Sequence, residues 1–187
     1  MSGRGEPPAR AFVALELDAR VREAIGELQA RVAPRLEGLR LTRAEGIHLT
    51  LRFLGPTTPE QLRQLGPALA SAAAAVAPGV AQVRSLGTFP ERGSPRVLWL
   101  GIEAPPQVLE LQLACERAAR RAGFEPEQRP FRPHLTLGRW RDHAPRPDLP
   151  ETDLGATRFD TLVLYKSDLH RAGAVYTALQ SFELGGG

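Results

Sequence analysis

The tetrapeptide His-Leu-Thr-Leu occurs twice in this chain of 187 residues, at positions 48–51 and again at 134–137. Strict alternation of polar and apolar residues marks a strand with one face in a core and the other turned outward. In each copy the leucines go inward, and the histidine and threonine emerge together on the opposite face. The copies stand 86 residues apart, and the same offset carries Arg10 onto Arg96, where two other strand-like runs open. The chain is thereby constrained to two similar halves packed side by side, an α+β architecture in which the two histidine strands are expected to face each other.

The remaining pattern fits this frame. Residues 10–17 read as a strand, and Asp18 caps a helix whose apolar face is Val21, Ile25, Leu28 and Val32. Pro34 and Gly38 close that helix, and a short strand pair follows, its second member at 46–54 holding His48. Thr58, Pro59 and Gln61 form a capping box for a helix with Leu62, Leu65, Leu69, Ala72 and Val76 on one face. Strands are predicted at 80–88 and 96–102. A third helix over 106–122 turns Val108, Leu111 and Cys115 inward and stops at Gly123. Residues 130–140 form the strand of His134, residues 141–150 a proline-rich loop, and 157–167 and 174–184 two last strands. The whole of 1–187 is expected to be one domain, with frayed ends at about 1–9 and 185–187.

Composition adds limits. No apolar run approaches the roughly 20 residues that span a bilayer, and the polar first ten residues lack the apolar centre of a secretion signal. A single cysteine, Cys115, cannot form an internal disulfide, which suits a reducing cytoplasm. Net charge is only +3, yet of 24 basic residues all but Lys166 are arginine, whose planar fork suits phosphate. Such a composition permits a phosphate-bearing partner without requiring one.

Two imidazoles and two hydroxyls converging on one cleft suit the in-line cleavage of a phosphodiester. That reaction needs a base for the attacking water and an acid for the leaving oxygen, on opposite sides of phosphorus. Imidazole titrates near pH 6.5 and serves as either. Threonine hydroxyls would donate to the non-bridging oxygens as charge builds there. The scheme demands no metal and no cofactor, and the symmetry of the two motifs leaves acid and base unassigned.

With these motifs the chain resembles a known family. His48-Leu49-Thr50-Leu51-Arg52-Phe53-Leu54-Gly55 and Phe131-Arg132-Pro133-His134-Leu135-Thr136-Leu137-Gly138-Arg139 look like the paired signatures of the two-histidine (2H) phosphoesterases, and within them of the RNA 2′,3′-cyclic phosphodiesterases once described as 2′–5′ RNA ligases. The resemblance runs in order through Arg10 to Leu15, Val97 to Leu100, Leu162 to Ser167 and Gly173 to Tyr176, departing at Gly46-Ile47, where the family often has Asn-Leu. It implies a bilobal fold with a pseudo-twofold axis and a metal-independent site between antiparallel-sheet and helix lobes. It further implies that His48 donates a proton to the leaving ribose oxygen, that His134 is the base for water, and that Thr50 and Thr136 bind phosphate. The product would be a 2′-phosphate, and some members run a reversible 2′–5′ ligation.

Around these motifs, Arg52 lies four residues after His48 and by alternation shares its face, a candidate phosphate contact. Arg139 is five after His134, so it reaches that face only if a bulge intervenes. Arg132, two before His134, is placed to touch an RNA backbone or to solvate the rim. Phe131 and Trp140 offer stacking surfaces for a base, or fill the core. His143 falls in the proline-rich loop, Asp168 and His170 lack further ligands at metal-site spacing, and Cys115 packs. RNA ends or cyclic nucleotides are the expected substrates of a monomer with no membrane and no metal partner. The competing readings are another cyclic phosphate or 2′–5′ oligonucleotide on the same site, and an RNA-binding module without turnover. The two titrating pairs speak against the last.

Overall fold

In the computed structural model, which describes residues 9–170 and 173–185, the chain runs β1 (Ala9–Leu15), α1 (Ala19–Val32), β2 (Leu39–Leu41), β3 (Leu49–Thr57), α2 (Pro59–Ala74), β4 (Gly79–Phe89), β5 (Val97–Glu103), α3 (Pro106–Arg121), β6 (His134–Trp140), β7 (Asp153–Phe159), β8 (Thr161–His170) and β9 (Gly173–Glu183). The helices start where the sequence places them. The Asp18 side chain accepts from the Val21 N–H, and Thr58 and Gln61 make the reciprocal capping box. Gly123, with φ +83°, takes the left-handed turn just past α3.

Every strand pairing is antiparallel, in the order β7-β4-β5-β6-β3-β1-β8-β9, with β2 added on β6. That order maps onto itself when β3 is exchanged with β6, β1 with β5, β8 with β4 and β9 with β7. The pseudo-twofold axis runs through the centre of the curled sheet, where the only register pair between β3 and β6 is Leu49 opposite Leu135. These are the same leucine in the two motif copies. The faces named above for α1 (Val21, Ile25, Leu28, Val32) and α3 (Val108, Leu111, Cys115) are buried; on α2 the buried side chains are Leu65, Leu69 and Ala73, while the predicted Leu62 and Ala72 are half-buried and Val76, buried, lies just past the helix.

Three expectations are corrected. The histidine strands are neighbours in one sheet rather than opposed across a gap. The short strand before His48 pairs with β6, not with β3. The strand predicted at 157–167 is two strands broken at Asp160, and β7 and β8 pair with β4 and β1, in different halves of the sheet. The frayed ends expected at 1–9 and 185–187 fall largely outside the described residues. Within them, Ala9 pairs with Thr57, and the Gly185 N–H donates to the Ala73 carbonyl at 3.1 Å.

Candidate active site

With Leu49 opposite Leu135 in an antiparallel pair, His48 falls beside Thr136 and Thr50 beside His134, all four on the face away from the leucines. The two histidines are diagonal neighbours across this pair, about 7–8 Å apart at the backbone. Leu49, Leu51, Leu135 and Leu137 are buried, whereas the histidines and threonines are half-buried. The sheet thus delivers two imidazoles and two hydroxyls to one outward surface.

Each ring is fixed by the same local device. His134 Nδ1 lies 2.7 Å from the Arg132 carbonyl, two residues back, and His48 has a backbone hydrogen bond to Gly46, also two residues back. Each ring N–H donates to its carbonyl. For His134 this leaves Nε2 as the nitrogen available to a ligand. Both motifs also bulge at the final leucine. Register skips Leu51 between the Ala14–Thr50 and Val13–Arg52 pairs, and skips Leu137 between Trp99–Thr136 and Leu98–Gly138. A bulge reverses the face of everything after it. The outward series therefore runs His48, Thr50, Phe53 in one half and His134, Thr136, Arg139 in the other.

The surroundings of the two rings differ. Phe12 stacks on His48 at 4.6 Å, Tyr176 meets it edge-on at 5.3 Å, and Tyr165 lies 5.8 Å away. The Tyr165 hydroxyl donates to Glu16 Oε1 at 2.6 Å. His134 has one aromatic contact, edge-on with Phe89 at 5.1 Å, and Phe89 in turn packs on Trp99. Desolvation inside the aromatic cluster, with a smaller push from the Arg22 cation, brings the His48 pKa down to about 4. Desolvation and the charge of Arg139 also lower that of His134. Burial thus favours the neutral form of both imidazoles in the free protein, and an anion bound between them would favour the protonated form.

The family model for LigT-like phosphoesterases matches residues 15–99, which hold His48, and 100–176, which hold His134. The chain belongs to the LigT-like phosphoesterase family. An RNA 2′,3′-cyclic phosphodiesterase of Thermus thermophilus is 36% identical over 95% of this chain and 91% of its own length. A solved structure from Thermus thermophilus superposes with a TM-score of 0.84 at 33% identity, covering 95% of this chain and 98% of that one. Escherichia coli LigT in complex with 3′-AMP gives 0.82 at 30% identity, over 96% and 99%.

For this LigT-like phosphoesterase, the bulges decide which arginine reaches the site face. Arg52 does not: the bulge at Leu51 turns it onto the helix side. There it is 7% exposed, paired with Glu116 of α3 at 2.5 Å, and donates to the carbonyls of Phe53 and Glu125. Its predicted phosphate contact is withdrawn. Arg139 is on the outward face, exposed, and its charge is felt by both His134 and Tyr176. Arg132 stands at the rim, paired with Glu91 at 2.5 Å and 6.0 Å over the Phe89 ring. Trp140 is no stacking platform: it is 5% exposed, and its Nε1–H donates to the Glu37 carbonyl. Phe131 packs against the core. His143 and His170 are exposed, and Asp168 pairs with Lys166. Among the described residues no three His, Cys, Asp or Glu side chains form a metal-binding group. Cys115 is buried, its thiol pushed up to about 12 by desolvation.

Two supporting side chains escaped the sequence reading, both on α1. Arg22 donates to the carbonyls of Ala44, Glu45 and Ile47, at 3.1, 3.3 and 3.4 Å, and so holds the 3₁₀ turn that delivers His48. Gln29, two turns on, donates from its buried amide to the carbonyls of Thr42 at 2.8 Å and Leu137 at 3.0 Å. Leu137 is the bulged residue of the second motif, so one helix steadies both.

Proposed function

We propose that this enzyme hydrolyses the 2′,3′-cyclic phosphodiester ends of RNA to 2′-phosphomonoesters. The observation that carries the reading is the Leu49–Leu135 register, which brings two His–Thr pairs together on one face. His134 Nε2 takes a proton from water as its oxygen attacks phosphorus. His48 gives its proton to the departing 3′ oxygen, which leaves the phosphate on the 2′ oxygen. Thr50, Thr136 and Arg139 donate to the non-bridging oxygens, where negative charge accumulates. The same proton transfers, with the 5′-hydroxyl of a second RNA in place of water, form a 2′–5′ linkage, the ligation that the site would also support, and their reversal cleaves that linkage. No helix among the described residues is long and apolar enough to cross a membrane. The single domain is read as a cytoplasmic monomer that needs no metal or cofactor.

The test is to incubate an RNA ending in a cyclic phosphate with the enzyme in excess EDTA and identify the product by phosphorus NMR. A 2′-phosphomonoester is expected. A 3′-phosphate, or loss of turnover in EDTA, overturns the mechanism.

A further inference from the structure

β2 is the short strand that breaks the twofold symmetry, and its register carries information about the substrate. Arg40 is directly opposite Arg139, with Leu39 opposite Trp140 and Leu41 opposite Gly138. Trp140 is buried and Leu39 packs against the core, so this pair defines the inner face and Arg40 and Arg139 share the outer one. That outer face is the surface of His134 and Thr136. Two like charges directly opposite on a ladder destabilise it. Neither arginine forms an ion pair with a carboxylate among the described residues, although Arg52, Arg63, Arg84, Arg132 and Arg158 all do. The juxtaposition is also built closely: at Gly138, beside the pair, a Cβ would come 2.8 Å from the Arg40 carbonyl, so glycine is what lets β2 approach. An uncompensated pair of guanidinium groups held in register beside a phosphoryl-transfer site is what a second anion would neutralise.

We infer that Arg40, together with Arg139, binds the next backbone phosphate of an RNA chain, one nucleotide 5′ of the cyclic end, so that the enzyme discriminates oligonucleotides from mononucleotides. The inference rests on the phosphodiesterase reading above and names the substrate class of that site. Arg139 spans the reacting phosphate and the second one; Arg40, one strand further out, meets only the second. A 5′-phosphate on a mononucleotide presents the same chemistry from a different source.

The experiment compares kcat/KM for adenosine 2′,3′-cyclic phosphate, its 5′-phosphorylated form, and a dinucleotide ending in a cyclic phosphate, using wild type, Arg40→Gln and Arg40→Glu. The dinucleotide should be preferred in wild type. Arg40→Gln should cut the dinucleotide-to-mononucleotide ratio about tenfold, the size of one charged hydrogen bond, and flatten the salt dependence of the dinucleotide rate by about 0.7 in log–log slope. If the 5′-phosphorylated mononucleotide shows the same Arg40-dependent gain, the subsite is shown to take a phosphate from either source. Arg40→Glu should raise the melting temperature by relieving the repulsion while abolishing the preference, an outcome that a structural role for Arg40 would not give. Equal use of all three substrates by wild type, or an unchanged ratio in Arg40→Gln, overturns the inference. Failure of every substrate would instead strike the phosphodiesterase reading.

Discussion

The two copies of His-Leu-Thr-Leu have the same strand, the same ring-to-carbonyl bond two residues back and the same bulge at the second leucine, yet their next two residues have opposite tasks. In the first copy, Arg52 turns inward to hold α3 through Glu116, and Phe53 turns outward, 58% exposed. In the second, Gly138 turns inward to admit β2, and Arg139 turns outward beside the catalytic surface. The shared geometry supplies two equivalent imidazole positions. The residues after each bulge make one side apolar, at Phe53, and the other cationic, at Arg139. Asymmetry thus arises from residues flanking a symmetric frame, and it extends to the rings, since His48 is enclosed by Phe12, Tyr165 and Tyr176 while Phe89 is the one aromatic neighbour of His134 among the described residues.

The largest effect should come from the feature the halves share. His48→Ala and His134→Ala should each lower kcat at least about 10³-fold, the upper range for one general acid or base. The double variant should be little worse than either single one, because the two protons move in one reaction. Steady-state rates on a cyclic nucleotide check this, and near-normal turnover in either single variant would remove that histidine from the mechanism.

The two arginines sharpen the comparison next. Arg52→Leu strands the Glu116 carboxylate, which is 17% exposed, and should cost about 3 kcal/mol of stability in a denaturant titration. The double variant Arg52→Leu/Glu116→Leu should recover most of that loss. Arg139→Gln should do the reverse, raising the unfolding midpoint slightly by relieving its repulsion with Arg40 while lowering kcat/KM by about 10–100-fold, the value of one charged hydrogen bond made most strongly in the transition state. A kinetic defect in Arg52→Leu equal to that of Arg139→Gln would show that the bulge does not separate their tasks.

This pair also shows how far the sequence is readable. Alternation and spacing are enough for the duplicated halves, the three helices with the inward faces of α1 and α3, and the placing of His48, Thr50, His134 and Thr136 on one outward face. These signals are local, each contained within a few turns or a single strand. Alternation cannot report its own interruption, so it puts Arg52 on the wrong face and brings Arg139 to the right one only on the condition of a bulge. The break at Asp160 is hidden because a single residue separates Phe159 from Thr161, so 157–167 reads as one continuous strand. Arg22 and Gln29 act on carbonyls of distant segments, 108 residues away in the case of Gln29 and Leu137, and no local pattern marks a side chain for such a partner. Residue type alone makes Trp140 a stacking candidate, and burial opposite Leu39 decides otherwise.

The unequal burial of the rings yields a pH signature. A base must be neutral and an acid protonated, and in the free protein both pKa values lie below 6.5, with that of His48 at about 4. The kcat/KM profile reports the free enzyme and kcat the bound one. Because a phosphodiester anion raises both histidine pKa values, the optimum of kcat should lie at higher pH than that of kcat/KM. Coincident optima would mean that the bound anion does not face the rings.

The smallest expected effect tests the enclosure itself, through stability. A ring held neutral in the fold but free to protonate when unfolded adds stability that is fully present above about pH 6.5. That stability is lost as pH falls from there towards about 4, since the unfolded chain binds the extra proton first. Wild type should therefore lose stability between pH 7 and pH 5 in denaturant titrations, and His48→Leu, with nothing to protonate, should lose less. Phe12→Leu keeps an apolar side chain but removes the stacked ring, so the His48 pKa should rise part of the way back in an NMR titration while His134, which makes no contact with Phe12, holds its value. If both histidines moved together, the aromatic cluster would be acting on the whole cleft, and the difference between the two halves would lie in the arginines alone.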